Sequence, residues 1–248
     1  MKKRTTVAII IIACIVTLVT YISNSKTNIS ENKQYISSVQ DGLQFTLEDI
    51  PEYNGEPYID INYGVPYFTE DDLTTEPFEY YSDLDKFSRC GVAYANICQE
   101  IMPTGKRGDI GSVKPTGWQS VKYDFISGKY LYNRCHLIGY QLAGENANEK
   151  NLITGTRYLN IDGMLDFEND VADYVRKTNN HVLYRVTPLF KDSELVARGV
   201  EIEAYSVEDK GQGIEFNVYC YNVQPGVYIE YSTGESFEIP KSLEEQFK

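Results

Sequence analysis

The stretch from Lys129 to Asn160, KYLYNRCHLIGYQLAGENANEKNLITGTRYLN, sets the tightest limits on what this chain can fold into. Upstream of it, Gly105–Trp118 carries four glycines and marks a loop. Trp118–Phe125 then reads as a strand, Ser127-Gly128 as a turn and Lys129–Asn133 as the partner strand, because aromatic and β-branched residues flank a turn pair. That hairpin delivers His136 at the end of its second strand. A helix around Thr156–Asn160, packed on the hairpin, completes a strand-strand-helix unit.

The rest of the chain predicts an α+β fold around an antiparallel sheet. Over Gly163–Lys177 the residues Met164, Phe167, Val171, Tyr174 and Val175 make one apolar row at helical spacing. Glu168 falls inside that row, and a carboxylate on an apolar face calls for a partner. Val182–Thr187 reads as a strand stopped by Pro188. Val200–Val207 and Ile214–Val223 read as a hairpin turned at Gly211 and Gly213, with Ile214, Phe216, Val218 and Cys220 on one face, and Val227–Tyr231 adds a further strand. In Asp83–Glu100, Leu84, Phe87, Cys90 and Tyr94 recur at helical spacing and predict a helix, although Gly91 and Val92 also permit a strand. Leu43–Phe68 interleaves aromatics with proline and glycine, as expected of an extended segment laid over the domain with at most short edge strands.

The chemistry gathers in the same central stretch. His136 is one of two histidines in the chain, and imidazole takes up a proton near neutral pH without special surroundings. Asn146, Asn148, Asn151 and Asn160 follow it, and amide oxygens are hard ligands suited to a magnesium-type cation. Together they point to metal-assisted attack on a phosphodiester. Cys135 beside His136 is discounted as a nucleophile, since neighbours on a strand face opposite sides.

Asn133-Arg134-Cys135-His136, followed by NLITGTRYLN from Asn151 to Asn160, resembles the signature block of the DNA/RNA non-specific endonuclease family, the ββα-metal nucleases. The family pattern is D-R-G-H and then an asparagine on the following helix; here asparagine stands for the aspartate and cysteine for the glycine. The resemblance runs from about Tyr80 onward. It implies a ββα-metal finger motif on a central antiparallel sheet, with His136 as general base, Arg134 pairing with phosphate, and Asn151 binding substrate or positioning the hairpin. It implies Asn160 as ligand of one divalent ion, Mg2+ with Mn2+ as a substitute, and Glu168 orienting the waters of that metal. Arg107 sits in a loop resembling the family's phosphate-contacting one. The implied activity is cleavage of DNA, and of RNA as well, to 5′-phosphate and 3′-hydroxyl ends.

Charge is a test for such a reading, because 23 Lys and Arg face 36 Asp and Glu. Tight nucleic-acid binding through counterion release favours a basic protein. The imbalance is local, however: Asp41–Cys90 holds 13 acidic and 2 basic residues, whereas Gly105–Cys135 holds 6 basic and 2 acidic ones. A catalyst that must release its product also needs less standing affinity than a repressor.

At the N-terminus, Lys2, Lys3 and Arg4 precede the apolar run Val7–Ile22, which is expected to act as a signal peptide or signal-anchor over residues 1–25. A polar linker over 26–42 and an endonuclease domain over 43–248, its catalytic block at 105–177, complete the expected organisation. The domain is then expected on the outer face of the cell membrane or secreted, with the membrane as a partner if the segment stays uncleaved. Cys90, Cys98, Cys135 and Cys220 allow three full disulfide pairings, with nothing to choose among them. His181 reads as structural. Two rival functions are a surface module that binds or passes on DNA through uptake machinery, and a secreted nuclease toxin neutralised by an immunity protein.

Overall fold

The computed structural model describes residues 46–240 and residue 242. The expected apolar leader and polar linker lie outside these residues, and among the described ones no helix is long and apolar enough to cross a membrane. The chain divides into two units at Ile50/Pro51. Of the first, the described part is a single 3-10 turn, Leu47–Asp49, in which Thr46 and Asp49 cap each other's backbone N–H groups.

Among its described residues the second unit has ten strands: β1 (Tyr58–Asp60), β2 (Phe78–Tyr81), β3 (Ala93–Ile97), β4 (Tyr132–His136), β5 (Leu152–Thr156), β6 (Val182–Leu189), β7 (Gly199–Ser206), β8 (Glu215–Tyr221), β9 (Val227–Glu230) and β10 (Glu235–Glu238). Six form one antiparallel sheet in the order β1-β8-β7-β6-β3-β2, while β4-β5 and β9-β10 are separate pairs. Two α-helices accompany them, the short α1 (Tyr140–Ala143) and α2 (Leu165–Thr178). The result is an antiparallel, sheet-dominated fold with few helices.

One face of the sheet carries Ala93, Ala95, Tyr184, Val186, Val200, Ile202, Val218 and Cys220, which pack in a single apolar core against Val171, Ala172 and Val175 of α2 and Cys135 and Ile153 of the β4-β5 pair. The two-residue repeat of each strand puts these side chains on one side. It sends Arg185, Glu201 and Glu203 to the other, where they are also buried. That polar face is covered by the extended segment expected at Leu43–Phe68, from Pro51 onward. The backbone N–H of Tyr67 donates to Glu203 (2.7 Å), the Phe68 ring lies over Arg185 and Tyr94, and β1 closes the β8 edge.

Three expectations need correction. Asp83–Glu100 is not a helix: its Ala93–Ile97 portion is β3, paired on both sides and buried throughout. Its Val-Ala-Tyr-Ala-Asn-Ile run shows no regular alternation because a central strand is buried against protein on both faces, which erases the strand period. Pro188 does not stop β6, which runs on to Leu189. β3 pairs only as far as Val186, and Pro188 faces that side, so its missing N–H costs no ladder bond.

The third correction concerns the hairpin. Trp118–Phe125 is a loop that meets Lys129–Leu131 through one bridge, Lys122 to Tyr130, and a few backbone bonds. The partner of the His136 strand lies downstream, with Asn133 opposite Gly155 and Cys135 opposite Ile153. Gly155 is what allows the pairing, since a Cβ there would stand 2.6 Å from Cys135 Cβ. The helix then starts at Arg157, two residues before Leu159, as the expected third part of a strand-strand-helix unit.

Candidate active site

β4 carries His136 to its C-terminal end, and β5 returns alongside and feeds directly into a helix. That helix opens with a π-turn over Leu159–Met164 before settling into α2. A π-turn widens the helix locally and is frequent at functional sites; here it contains Asn160. α2 closes on Asn179, whose left-handed backbone (φ 61°) returns an N–H to Val175 O.

The His136 ring is 5% exposed and held at both nitrogens. Nε2 lies 2.9 Å from the backbone oxygen of Asn146, an acceptor, so Nε2 carries the hydrogen. Nδ1 lies 3.2 Å from Arg107 Nη2, a donor, so Nδ1 presents its lone pair. Burial pushes the imidazole below its ordinary pKa, and the Arg107 charge adds to this against the pull of the Asn146 carbonyl. The ring is therefore a neutral base of one tautomer. The Asn146 side chain accepts from Gly108 N (2.7 Å), which ties the Arg107 loop to the same wall.

Asn160 Oδ1 accepts from the Cys135 thiol at 3.2 Å. Cys135, standing where the family pattern has glycine, is buried, and desolvation pushes its thiol far above the ordinary range. Its role here is packing and a weak hydrogen bond to Asn160. Glu168, the carboxylate inside the α2 apolar row, faces the cavity. Burial raises its pKa to about 8, with Gln141 and Arg107 pulling the other way. Gly139 makes room for it, since a Cβ on that residue would stand 2.4 Å from Glu168 Oε2.

His136, Asn160, Glu168, Arg107 and Arg134 all line one cavity of about 1110 Å³. Asn151 does not. Its carboxamide is fully buried and engages both backbone groups of Ile138, accepting from N (2.9 Å) and donating to O (3.0 Å). Of the two roles open to Asn151, this geometry supports positioning of the chain after β4. Arg134 reaches the cavity, but its guanidinium is engaged by the carbonyls of Gly111 and Val113 and stacks over Trp118 at 4.2 Å. It fastens the glycine-rich loop while contributing its charge.

Two polar groups in the cavity were not legible from residue types. Arg157 Nε and Asn133 Nδ2 are buried donors with no partner among the described residues. Buried donors are paired in nearly all native structures, so two orphans in one cavity call for an acceptor ligand. The available signal was Arg157 in Thr-Gly-Thr-Arg, three residues before Asn160, and the absence of a carboxylate at Asn133. With Arg107, Lys114 and Arg134 the cavity holds four cations against one carboxylate, Glu168, in a chain of net charge −13.

A sequence profile of the DNA/RNA non-specific endonucleases matches residues 69–208, which span both sheet and cavity. The chain belongs to this endonuclease family. A deoxyribonuclease from Streptococcus dysgalactiae subsp. equisimilis is 31% identical over 132 residues, covering 50% of this chain; the chain spans 39% of that relative's length. NucA from Streptococcus agalactiae superposes with a TM-score of 0.68 in its metal-free structure and 0.67 with magnesium bound. Both are 26% identical over 81% of this chain, covering 96% and 95% of NucA. Sda1 nuclease with bound zinc follows at 0.61 and 25% identity, covering 74% of this chain and 97% of Sda1. The endonuclease-family match and the β4-β5-helix unit thus coincide on the same residues.

Proposed function

We propose that this chain is a metal-dependent endonuclease that hydrolyses phosphodiester bonds of DNA, and of RNA, with little sequence preference. The observation that carries the reading is the tautomer of His136: its Nδ1 lone pair faces a cationic cavity that also holds Asn160 and Glu168.

The donor set suits a small hard cation. Asn160 Oδ1 is an amide oxygen engaged only by a weak thiol donor, and the Glu168 carboxylate lines the same space. Magnesium-type ions favour such oxygens and keep several waters, so one amide ligand with a carboxylate near its water shell is a fitting site. A divalent ion held there would stabilise charge on the phosphoryl oxygens and the leaving 3′ oxygen. The magnesium-bound NucA structure supports a divalent ion, and the zinc-bound Sda1 structure leaves its identity open between metals.

The chain's own residues supply the rest. Arg107 moves from His136 Nδ1 to the entering phosphate, joined by Arg157, Lys114 and the Asn133 amide. His136 Nδ1 then takes the proton of the attacking water, and the Asn146 carbonyl on Nε2–H stabilises the imidazolium that forms. The new P–O bond forms from water as the bond to O3′ breaks, and O3′ takes a proton from solvent water, leaving a 5′-phosphate and a 3′-hydroxyl. Trp118, Tyr130 and Tyr140 line the cavity, and stacking of bases on such aromatic residues is sequence-tolerant, consistent with low sequence preference. The basic-flanked apolar run Val7–Ile22 supports an extracellular site of action.

Incubating the full chain with plasmid DNA and with RNA tests the reading. Cleavage with magnesium or manganese, arrest by chelator and 5′-phosphate ends are expected. DNA retained in a gel shift with metal present, yet left uncut, would make the chain a binding module instead.

Glu168 gives a second expected outcome. Its carboxyl titrates near 8 rather than 4.5, so the folded protein holds a proton there across neutral pH that the unfolded chain releases. Stability from this group is complete below about 4.5 and is lost as pH rises toward 8. Glu168→Gln should therefore melt higher than wild type at pH 7–8 and equal to it near pH 4. A cation near the charged form must displace that proton, so wild-type affinity for magnesium should rise about tenfold per pH unit below 8 and then level off. In Glu168→Gln that slope should vanish; calorimetric titration at pH 6, 7 and 9 measures it, and an unchanged slope would remove Glu168 from the site.

A further inference from the structure

Away from the cavity, three adjacent strands end together. β3 and β6 pair up to Ile97 opposite Val182, and Cys98 and His181 each lie one residue beyond that last rung. β7 ends beside them, with Val207 N donating to His181 O at 2.9 Å. The chain after Cys98 turns back, Ile101 N and Met102 N both donating to Cys98 O, which folds Glu100 over the thiol. As a result Cys98 Sγ, a Glu100 carboxylate oxygen and a His181 ring nitrogen all lie within 4.8 Å of one another.

Neighbouring ligands of a tetrahedral zinc ion, with bonds of about 2.0–2.3 Å, stand roughly 3.5 Å apart. Closing this cluster needs a movement of about 1 Å, and Glu100 is exposed and free to make it. The His181 ring is already oriented. Glu208 accepts from its Nδ1 at 2.6 Å and from its backbone N at 2.8 Å, so the ring's lone pair is on Nε2. A carboxylate on the far nitrogen of a histidine is the arrangement that fixes metal-binding imidazoles. Cys98 is also set apart from the other cysteines: Cys90, Cys135 and Cys220 belong to the main apolar core and Cys98 does not. None of these residues lines the cavity described above.

We propose that Cys98, Glu100 and His181 form a second metal site, for zinc or a similar borderline-soft transition metal, with Glu208 holding the His181 ring. Sulfur, imidazole and carboxylate in one cluster select such a metal over magnesium. Cys98 gives up its thiol proton to solvent as the metal–sulfur bond forms, and water completes the coordination. The site clips the end of β3 to the start of β6, so its effect is on stability.

The test adds cobalt(II) to chelator-treated full-length protein and reads the near-ultraviolet thiolate-to-cobalt absorption, which an oxygen-only site at Asn160 does not give. The band is expected in wild type and in Asn160→Ala, and lost in Cys98→Ser. Glu208→Gln should weaken zinc binding about 10- to 100-fold. Zinc at a hundred times its dissociation constant should raise the wild-type melting temperature by about 5–10 °C. Absence of the band in wild type, or its persistence in Cys98→Ser, overturns the site. Should Cys98→Ser misfold, Glu100→Ala decides at an exposed position: zinc affinity falling tenfold or more supports the site, and unchanged affinity overturns it.

Discussion

Replacing His136 by alanine is expected to lower the rate of DNA cleavage by about 10²–10⁴ while leaving DNA binding in place, the span that general base catalysis covers. The expectation follows from the two hydrogen bonds of the ring. With Nε2–H committed to the Asn146 carbonyl, proton uptake can occur only at Nδ1, and Nδ1 opens on the cavity once Arg107 leaves it. His181, the other histidine, is bound to Glu208 and does not line the cavity. The loss should appear in kcat rather than KM, and added imidazole should restore part of it by occupying the space vacated. Wild-type pH dependence at saturating magnesium has the matching sign: burial holds His136 below its ordinary 6.5, so the basic form persists to lower pH and the metal-saturated rate falls only beneath that value. Cleavage by His136→Ala at the wild-type rate would remove the base assignment.

The second large effect is on stability and lies on the opposite face of the sheet. Arg185 on β6 meets Glu203 on β7 through two bonds, Nε to Oε2 at 2.5 Å and Nη2 to Oε1 at 2.9 Å, with both side chains almost fully buried. Glu203 also accepts from Tyr67 N, and the guanidinium lies 4.8 Å from the Phe68 ring centroid and 5.7 Å from that of Tyr94. Burial and the Glu203 charge raise the pKa of neighbouring Glu201. Glu203→Ala strands the arginine in this setting and should cost about 3–5 kcal/mol, read from the midpoint of urea unfolding. Replacing Arg185 and Glu203 together by leucine should cost far less, because a buried pair offsets mainly its own desolvation. A cost below about 1 kcal/mol for Glu203→Ala would mean that water reaches this face, contrary to the cover formed by Tyr67 and Phe68.

Much of the catalytic half could be read from residue order. The apolar row from Met164 to Val175 becomes the end of the π-turn and α2, the Ile214–Cys220 alternation becomes β8, and His136 and Asn160 do line one cavity. The basic residues between Gly105 and Cys135 place Arg107, Lys114 and Arg134 around it. These features are local: a period of two or of 3.6, or a short motif, survives whatever the rest of the chain does.

Pairing is not local, and residue order does not carry it. Residue types favour the nearest β-compatible run, Trp118–Phe125, as partner of the His136 strand, whereas β5 arrives from beyond a 15-residue excursion that Asn151 pins to Ile138. The stretch containing β3 shows helical spacing as well as strand-compatible residues, because a strand covered on both faces loses its alternation. The buried Arg185–Glu203 pair, the orphan donors at Arg157 and Asn133, and the Cys98–Glu100–His181 cluster depend on strands brought together from distant parts of the chain. Residue order thus carried the helix, the meander and the stretch from which His136 and Asn160 reach one cavity, because each rests on neighbours along the chain. Register, burial of charge and the partners of each polar group waited on packing, since they are set by which strand lies next to which.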